Sequence, residues 1–548
     1  MSVSALLFRR VSQLSVVAAV ILACALLTSR MAYGQTSIAD VSESPLLRRW
    51  SPLRPIGDLG LLAPQLPELP RLLLFPIAKR GVSGISSNPA QLPDEIDSAW
   101  TQLVVNTNGV SGSYRRPLDA GSVSSTGTSL AGWRRIGTRI AALGRVAAER
   151  SSLRDGSASA FLTPYGSSPF VSTDTNRPSL TQTVVTLEGA EGIALGAWRL
   201  GIAAGYRAHE NSSTHSSASQ IGRASTSGLS VGAAHEIGSN VRLGFYARGL
   251  QNSETVILQA NPQTVRVYNL DGYVNVDPSN VVAALPPFLR RADRSATVWG
   301  TDAAGSSFGT AWTVYVEHQS SQERQIFSVL ALNPPTDRWQ TSGYAAGGVA
   351  QRTIRGVLAT IRADWTMQRG DADRAETTTG AYRADASRLT MEAEVRYAPT
   401  ESGWAFASIL SLRRDQQTAT DDAARLTTNL AAWMPAASAE VARRVSERLT
   451  FSLAYGRLQF TPNASVPSPA NHGTSYSLFV APAIEVAAAS AHADQGSVTA
   501  RWRTSVGAIS VRLWASATNA TTPPMALVPL PTGSRSTWGL AMNLEPRR

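Results

Sequence analysis

The first residues in this chain with the spacing of a catalytic device are Gly305-Ser306-Ser307-Phe308-Gly309. They fit the G-x-S-x-G elbow, in which a serine nucleophile sits on a sharp strand-to-helix turn. Trp312, Val314, Val316 and His318 follow at a period of two, which reads as a strand. The match is therefore the kind that a Ser/Gly-rich chain yields by chance. The six histidines, His209, His215, His235, His318, His472 and His492, form no H-E-x-x-H or other metal spacing. His472-Gly473-Thr474-Ser475 offers a base and a hydroxyl nucleophile without a recognisable acidic partner. Asp371-Ala372-Asp373 and Asp421-Asp422 read as solvated acidic pairs. No cofactor, catalytic residue or metal ligand is expected.

A second set of residues carries charge in a more regular way. Arg199, Arg207, Arg242, Arg248, Arg362, Arg396, Arg501, Arg503 and Arg512 each stand between small or apolar neighbours, as do Glu236, Glu317, Glu392, Glu394 and Asp364. Strand parity places all fourteen on the polar face of alternating segments. Arginine facing lipid near a bilayer midplane costs about 2–4 kcal/mol, so in a membrane barrel this face turns inward. There the charges either pair into a network that fills the barrel or line a water-filled pore and set its selectivity.

The elements that would hold those charges announce themselves after residue 180. In Trp198–Arg207 the residues Trp198, Leu200, Ile202, Ala204 and Tyr206 alternate with Arg199, Gly201, Ala203, Gly205 and Arg207. One set suits lipid and the other water. Val241–Arg248, Leu389–Tyr397, Leu449–Tyr455, Ile509–Ala515 and Trp538–Leu544 repeat the pattern. Tight turns such as Gly238-Ser239-Asn240 join some segments. Polar stretches, 209–227, 370–387, 413–428 and 459–475, separate the pairs and read as long outer loops. Ile136–Ala148 fits a strand or a short helix, and two possible strands within Asn261–Arg294 have no clear place. Short inner turns alternating with long outer loops describe an all-β, transmembrane antiparallel β-barrel. At roughly 10 residues per strand plus loops, residues 96–548 hold about 14 strands, within a range of about 12–16. The last strand then runs inward and leaves the C-terminus on the short-turn side.

The N-terminus supplies an export route. Arg9 and Arg10 precede an apolar stretch, Leu14–Thr28, and Ala32-Tyr33-Gly34 resembles a cleavage site, so residues 1–34 read as a secretory signal peptide. The single cysteine, Cys24, lies inside it, leaving no disulfide or thiolate chemistry in the mature chain. Residues 35–95 are rich in Pro and Leu and read as an irregular periplasmic arm, or a plug folded into the lumen. The formal charge is +11, of which the leader arginines Arg9, Arg10 and Arg30 supply three. The remaining arginines are scattered and Lys79 is the only lysine, so nucleic-acid binding is not expected. The hydrophobic fraction is 43% and the mean hydropathy −0.08, averages that a barrel's alternation keeps near those of a soluble chain.

Ser87-Asn88-Pro89-Ala90, Ser113-Tyr114-Arg115-Arg116-Pro117, Pro164-Tyr165-Gly166-Ser167-Ser168-Pro169-Phe170, Leu200–Tyr206 and Leu270-Asp271-Gly272-Tyr273 occur in this order over about residues 85–545. In that order they resemble an uncharacterised outer-membrane β-barrel family of Gram-negative bacteria. The Asn-Pro-Ala run is also similar to the start of long-chain fatty-acid channels and their relatives. The resemblance implies a barrel in the outer membrane but brings no substrate.

Together these readings lead to the expectation of a passive or gated channel for small molecules, possible apolar solutes included. An anchor or scaffold for envelope proteins is the alternative, and an outer-membrane lipid hydrolase comes third. The expected partners are outer-membrane lipid and the barrel-insertion machinery; the chain's closing Leu544-Glu545-Pro546-Arg547-Arg548 lacks the terminal aromatic that machinery often reads.

Overall fold

A computed structural model describes residue 53 and residues 87–95, 99–155, 169–174, 179–215, 218–238, 240–260, 267–271, 274–275, 288–328, 336–373, 382–397, 403–465, 478, 480–505, 507–520 and 533–546. Its strands, in chain order, are β1 (Trp100–Gly112), β2 (Ser122–Ile136), β3 (Ile140–Arg154), β4 (Phe170–Asp174), β5 (Leu180–Leu195), β6 (Trp198–His215) and β7 (Ala218–Ile237). They continue as β8 (Val241–Ala260), β9 (Val267–Asp271), β10 (Val274–Asn275), β11 (Phe288–Ser307), β12 (Thr310–Ser328), β13 (Thr336–Ile354) and β14 (Val357–Asp373). The last seven are β15 (Tyr382–Tyr397), β16 (Trp404–Asp421), β17 (Leu426–Arg444), β18 (Leu449–Ser465), β19 (Ala491–Thr504), β20 (Gly507–Ala520) and β21 (Ser534–Pro546). Strands β4, β9 and β10 form a separate three-stranded sheet. The other eighteen pair antiparallel with their neighbours, and β1 pairs with β21, so the sheet closes into a barrel.

Eighteen strands replace the expected 14. The difference has a physical source. Strands β6, β7, β8 and β11 are 18–20 residues long, against the roughly 10 needed to cross a bilayer. The distal halves of β6 and β7 are mostly polar on both faces, and those of β8 and β11 mix apolar and polar residues without a period of two, so alternation is lost while the hydrogen-bond ladder continues through them. Residues 209–215 and 218–227 pair as β6 and β7, and 413–421 pairs with 426–434 as β16 and β17. Much of what reads as outer loop is strand. Ile136–Ala148 is strand rather than helix over Ile140–Ala148, the first part of β3; Ile136 ends β2 and the chain turns at Gly137 with φ +61°.

Turn chemistry sets the short-turn end. Phe308-Gly309 and Arg355-Gly356 make two-residue turns with positive φ at both positions, as such hairpins require. Gly305–Gly309 is thus the tip of a hairpin and no nucleophile elbow. The strand termini Trp100 and Pro546 lie at this same end.

The apolar exposed residues form a belt next to it. Its height is measured by two cross-strand cation–π pairs. Arg443 lies 5.1 Å from the Trp404 ring and Arg414 lies 5.1 Å from the Trp433 ring. Trp404 pairs in register with Arg443, and Arg414 with Trp433, ten residues further along both strands. Ten residues at ~3.3 Å, tilted by roughly 40°, rise about 25 Å. That is the height of a lipid-facing band, with an Arg–Trp pair at each rim. Phe245, Trp299, His318 and Tyr344 continue the upper rim on neighbouring strands. Among the described residues no helix is long and apolar enough to cross a membrane.

Above the belt, opposite charges face each other across the outer face, as in Arg223–Glu210 at 3.2 Å, Arg383–Asp371 at 3.7 Å and Arg457–Asp494 at 3.8 Å. At the long-loop end the 113–121 turn is closed by Asp119, which accepts from the Arg116 backbone N at 3.0 Å and Nε at 3.0 Å and lies 3.9 Å from Arg535. Burial alone would raise the pKa of this carboxyl, but Arg116 and Arg535 outweigh it and hold it below the usual range. A depressed folded-state pKa gives stability that is present above the unfolded value of about 3.9 and lost as pH falls through the folded value. Local opening of residues 113–121, read from amide exchange corrected for its intrinsic pH dependence, is therefore expected to stay flat from pH 7 to about pH 4. It should rise below that pH, and Asp119→Asn should abolish the step.

Candidate functional site: a segment docked in the lumen

The barrel interior is not empty at either end. At the short-turn end, residues 87–95 enter the lumen and lie against β5, β6 and β7. Pro89–Gln91 forms one 3-10 turn and Leu92–Glu95 a short helical turn. Asn88 caps the first, its Oδ1 accepting from Ala90 N at 3.0 Å, and Pro89 pre-sets the first turn position.

The wall is built to receive this segment. Gly192, Gly201 and Gly232 sit in register on three adjacent strands, and Gly244 lies on the next. A Cβ at Gly201 would fall inside the Pro89–Ala90 peptide, and one at Gly232 on the Asn88 amide. At Gly192 it would lie 2.7 Å from Pro93 Cδ, and at Gly244 2.5 Å from Asn88 Nδ2. These glycines are where two backbones approach closely.

Polar groups then fix the segment. Asn88 Nδ2 donates to Asp302 Oδ1 at 3.1 Å and to Ala233 O at 3.4 Å. Gln91 Nε2 donates to the other Asp302 oxygen. Ser87 Oγ donates to Glu317 Oε1 at 3.4 Å, which also accepts from Tyr246 OH at 2.5 Å. Asp94 sits between Arg199, at 3.2 Å, and Arg242, while Arg199 also pairs with Glu236 at 2.7 Å. Four of the fourteen charges expected on the polar face, Arg199, Arg242, Glu236 and Glu317, thus converge on one segment.

The other ten are distributed around the wall. Arg362 pairs in register with Glu392, and Arg396 forms an ion pair with Glu394. Asp364 accepts from Tyr315 OH at 3.0 Å. Arg501 pairs with Glu545 at 2.6 Å, and Arg512 lies 5.8 Å from the Trp514 ring. Arg207 donates from Nε to Thr186 Oγ1 at 3.4 Å. Arg248 is buried, and Arg503 is exposed near the short-turn end of β19. Parity alone did not reveal Asn88, Gln91, Asp94 or Asp302, nor the pair Arg145–Glu188 at 3.2 Å. The Asn-Pro-Ala run and the Gly-rich polar faces were the available signals.

At the long-loop end a helix, Ala481–Ala488, packs with Tyr114, Met434, Leu458 and Phe460 into an apolar cluster on the inner wall. Tyr114 OH donates to Val486 O at 3.2 Å. Of the catalytic candidates, Ser307 ends β11 beside the hairpin turn. His472 and Ser475 lie outside the described residues. Asp421 is buried and caps a turn through Ala424 N at 3.0 Å. Among the described residues no group of three His, Cys, Asp or Glu could hold a metal.

Asp94→Asn removes the charge that Arg199 and Arg242 share. Charged hydrogen bonds contribute about 1.5–3 kcal/mol and neutral ones about 0.5–1.5, so a loss of about 1 kcal/mol at each of the two arginines should make undocking of residues 87–95 roughly thirtyfold more frequent. Amide exchange at 90–95 measures it.

The pattern of a family described as "Family of unknown function (DUF6850)" matches residues 89–545. No curated protein matches the chain. Among solved structures it is similar to the ferric preacinetobactin receptor BauA of Acinetobacter baumannii, at 10% identity and TM-score 0.38 over 82% of this chain and 80% of that one. The alcaligin receptor FauA of Bordetella pertussis gives 11% and 0.34 over 81% and 75%. The monoaromatic hydrocarbon channel TodX gives 10% and 0.29 over 84% and 92%.

Proposed function

This chain belongs to that family of unknown function, and we propose that it is a gated outer-membrane conduit for small solutes. In this reading the belt faces lipid, the N-terminal 34 residues are the export signal, and the short-turn end faces the periplasm. A barrel of 18 strands is wide enough for an aqueous channel. What carries the proposal is how the docked segment is held. Residues 87–95 sit inside the lumen against β5, β6 and β7 without belonging to the sheet. They are held by side-chain hydrogen bonds and ion pairs over a glycine floor, contacts that can be broken without opening the barrel.

The polar, charged inner wall favours hydrophilic solutes over apolar ones. Entry of solutes into proteoliposomes, read as swelling, tests the reading. The full chain should pass little. Asp302→Ala leaves the Asn88 and Gln91 amides without their shared acceptor, which costs about 1–3 kcal/mol per buried group and should raise the swelling rate severalfold. Equal rates in both would contradict the gate.

A further inference from the structure

We propose that the lumen wall carries a subsite for small carboxylate-bearing solutes at Arg207, an inference that rests on the conduit reading above. A cavity opens in the wall where β1, β2, β3, β5 and β6 meet, lined by Asn106, Gly127, Arg145, Glu149, Thr186 and Arg207. It exists because small side chains stand between long ones in two register rows. One row is Asn106, Gly127 and Glu149; the next is Ala147, Thr186 and Arg207. A Cβ at Gly127 would lie 2.7 Å from Asn106 Oδ1, so the floor cannot be raised there without displacing the amide.

The two guanidinium groups of this cavity differ. Arg145 is committed to Glu188 at 3.2 Å, both side chains nearly fully buried. Arg207 uses Nε for Thr186 Oγ1 at 3.4 Å, its hydrogen bond among the described residues, and lines the cavity. The planar fork of a guanidinium matches a carboxylate in a bidentate fashion. The Ser129 hydroxyl and the Asn106 amide, on the same face of the sheet, are further hydrogen-bonding partners in the cavity lining. Glu149 lines the same cavity with the opposite sign. A second negative charge on the solute would be repelled there, whereas an ammonium or hydroxyl would be accepted. The arrangement therefore fits monocarboxylates and zwitterions better than dicarboxylates.

Saturation-transfer NMR on the full folded chain, with glycine, acetate and succinate as probes, reads this directly. Measurements are made on the unaltered chain and on Gly201→Val, so that access through the docked segment is not limiting. Glycine and acetate should bind and succinate should bind more weakly. Arg207→Gln should lower glycine affinity at least tenfold, and Glu149→Gln should strengthen succinate relative to glycine. Arg223→Gln, exposed on the outer face, should change nothing. If Arg207→Gln does not fold, Arg207→Lys keeps the charge without the fork and should weaken binding severalfold. Absence of binding in both chains, or affinity indifferent to residue 207, overturns the subsite. Glycine binding to chains that never conduct would leave the subsite standing and remove the conduit reading.

Discussion

Valine at Gly201 expels residues 87–95 from the barrel. The side chain begins where the Pro89–Ala90 peptide already lies, and backbone on both sides leaves nothing soft to yield. Because Gly201 is in mid-strand and β-branched residues suit strands, the barrel itself should tolerate the change. The docked segment then loses its floor and, with it, the hydrogen bonds of Asn88 and Gln91 to Asp302 and of Ser87 to Glu317. At about 1 kcal/mol net each, three lost bonds shift the docked–undocked balance by about 3 kcal/mol before any steric cost, roughly a hundredfold. Protease cleavage within 87–95 should accelerate accordingly while the barrel core stays protected. Gly249→Val is the control, since a Cβ there meets nothing within 4 Å. Unchanged cleavage in Gly201→Val would mean that the segment is not seated on this floor.

Arginine at Leu410 is the second large effect. Leu410 is 60% exposed and lies between the Arg–Trp pairs that bracket the belt, six residues from Trp404 and four from Arg414. If this band faces lipid, a charge there meets the bilayer midplane and should cost about 2–4 kcal/mol of folding stability in vesicles. Denaturant titration in lipid vesicles measures it. Thr418→Arg, on the same outer face beyond the upper rim, should be nearly neutral. Equal costs at 410 and 418 would deny the belt its membrane role.

The barrel was legible because the half of it that bears the apolar belt alternates. Trp198, Leu200, Ile202 and Tyr206 are exposed, and Arg199 on the other face is buried. The strand number was not, because β7 from Ala218 to Ser227 is polar on both faces; pairing partners, not periodicity, make it a strand. The docked segment was less legible still. Asn88 and Asp302 are 214 residues apart, and only the pairing of β11 with β8 places the carboxylate on the part of the wall that the Asn88 amide reaches. Gly192, Gly201 and Gly232 read as ordinary small residues until their register shows that they line up across three strands.

If residues 87–95 close an otherwise passable lumen, single-channel conductance in planar bilayers separates the full chain from Gly201→Val, with Gly249→Val as control. A mostly closed baseline is expected in the full chain and in Gly249→Val, with steady conductance in Gly201→Val. Silence from a folded Gly201→Val whose segment has been shown to leave the lumen would contradict that closure, and the barrel would then be a filled body whose purpose lies on its outer surface.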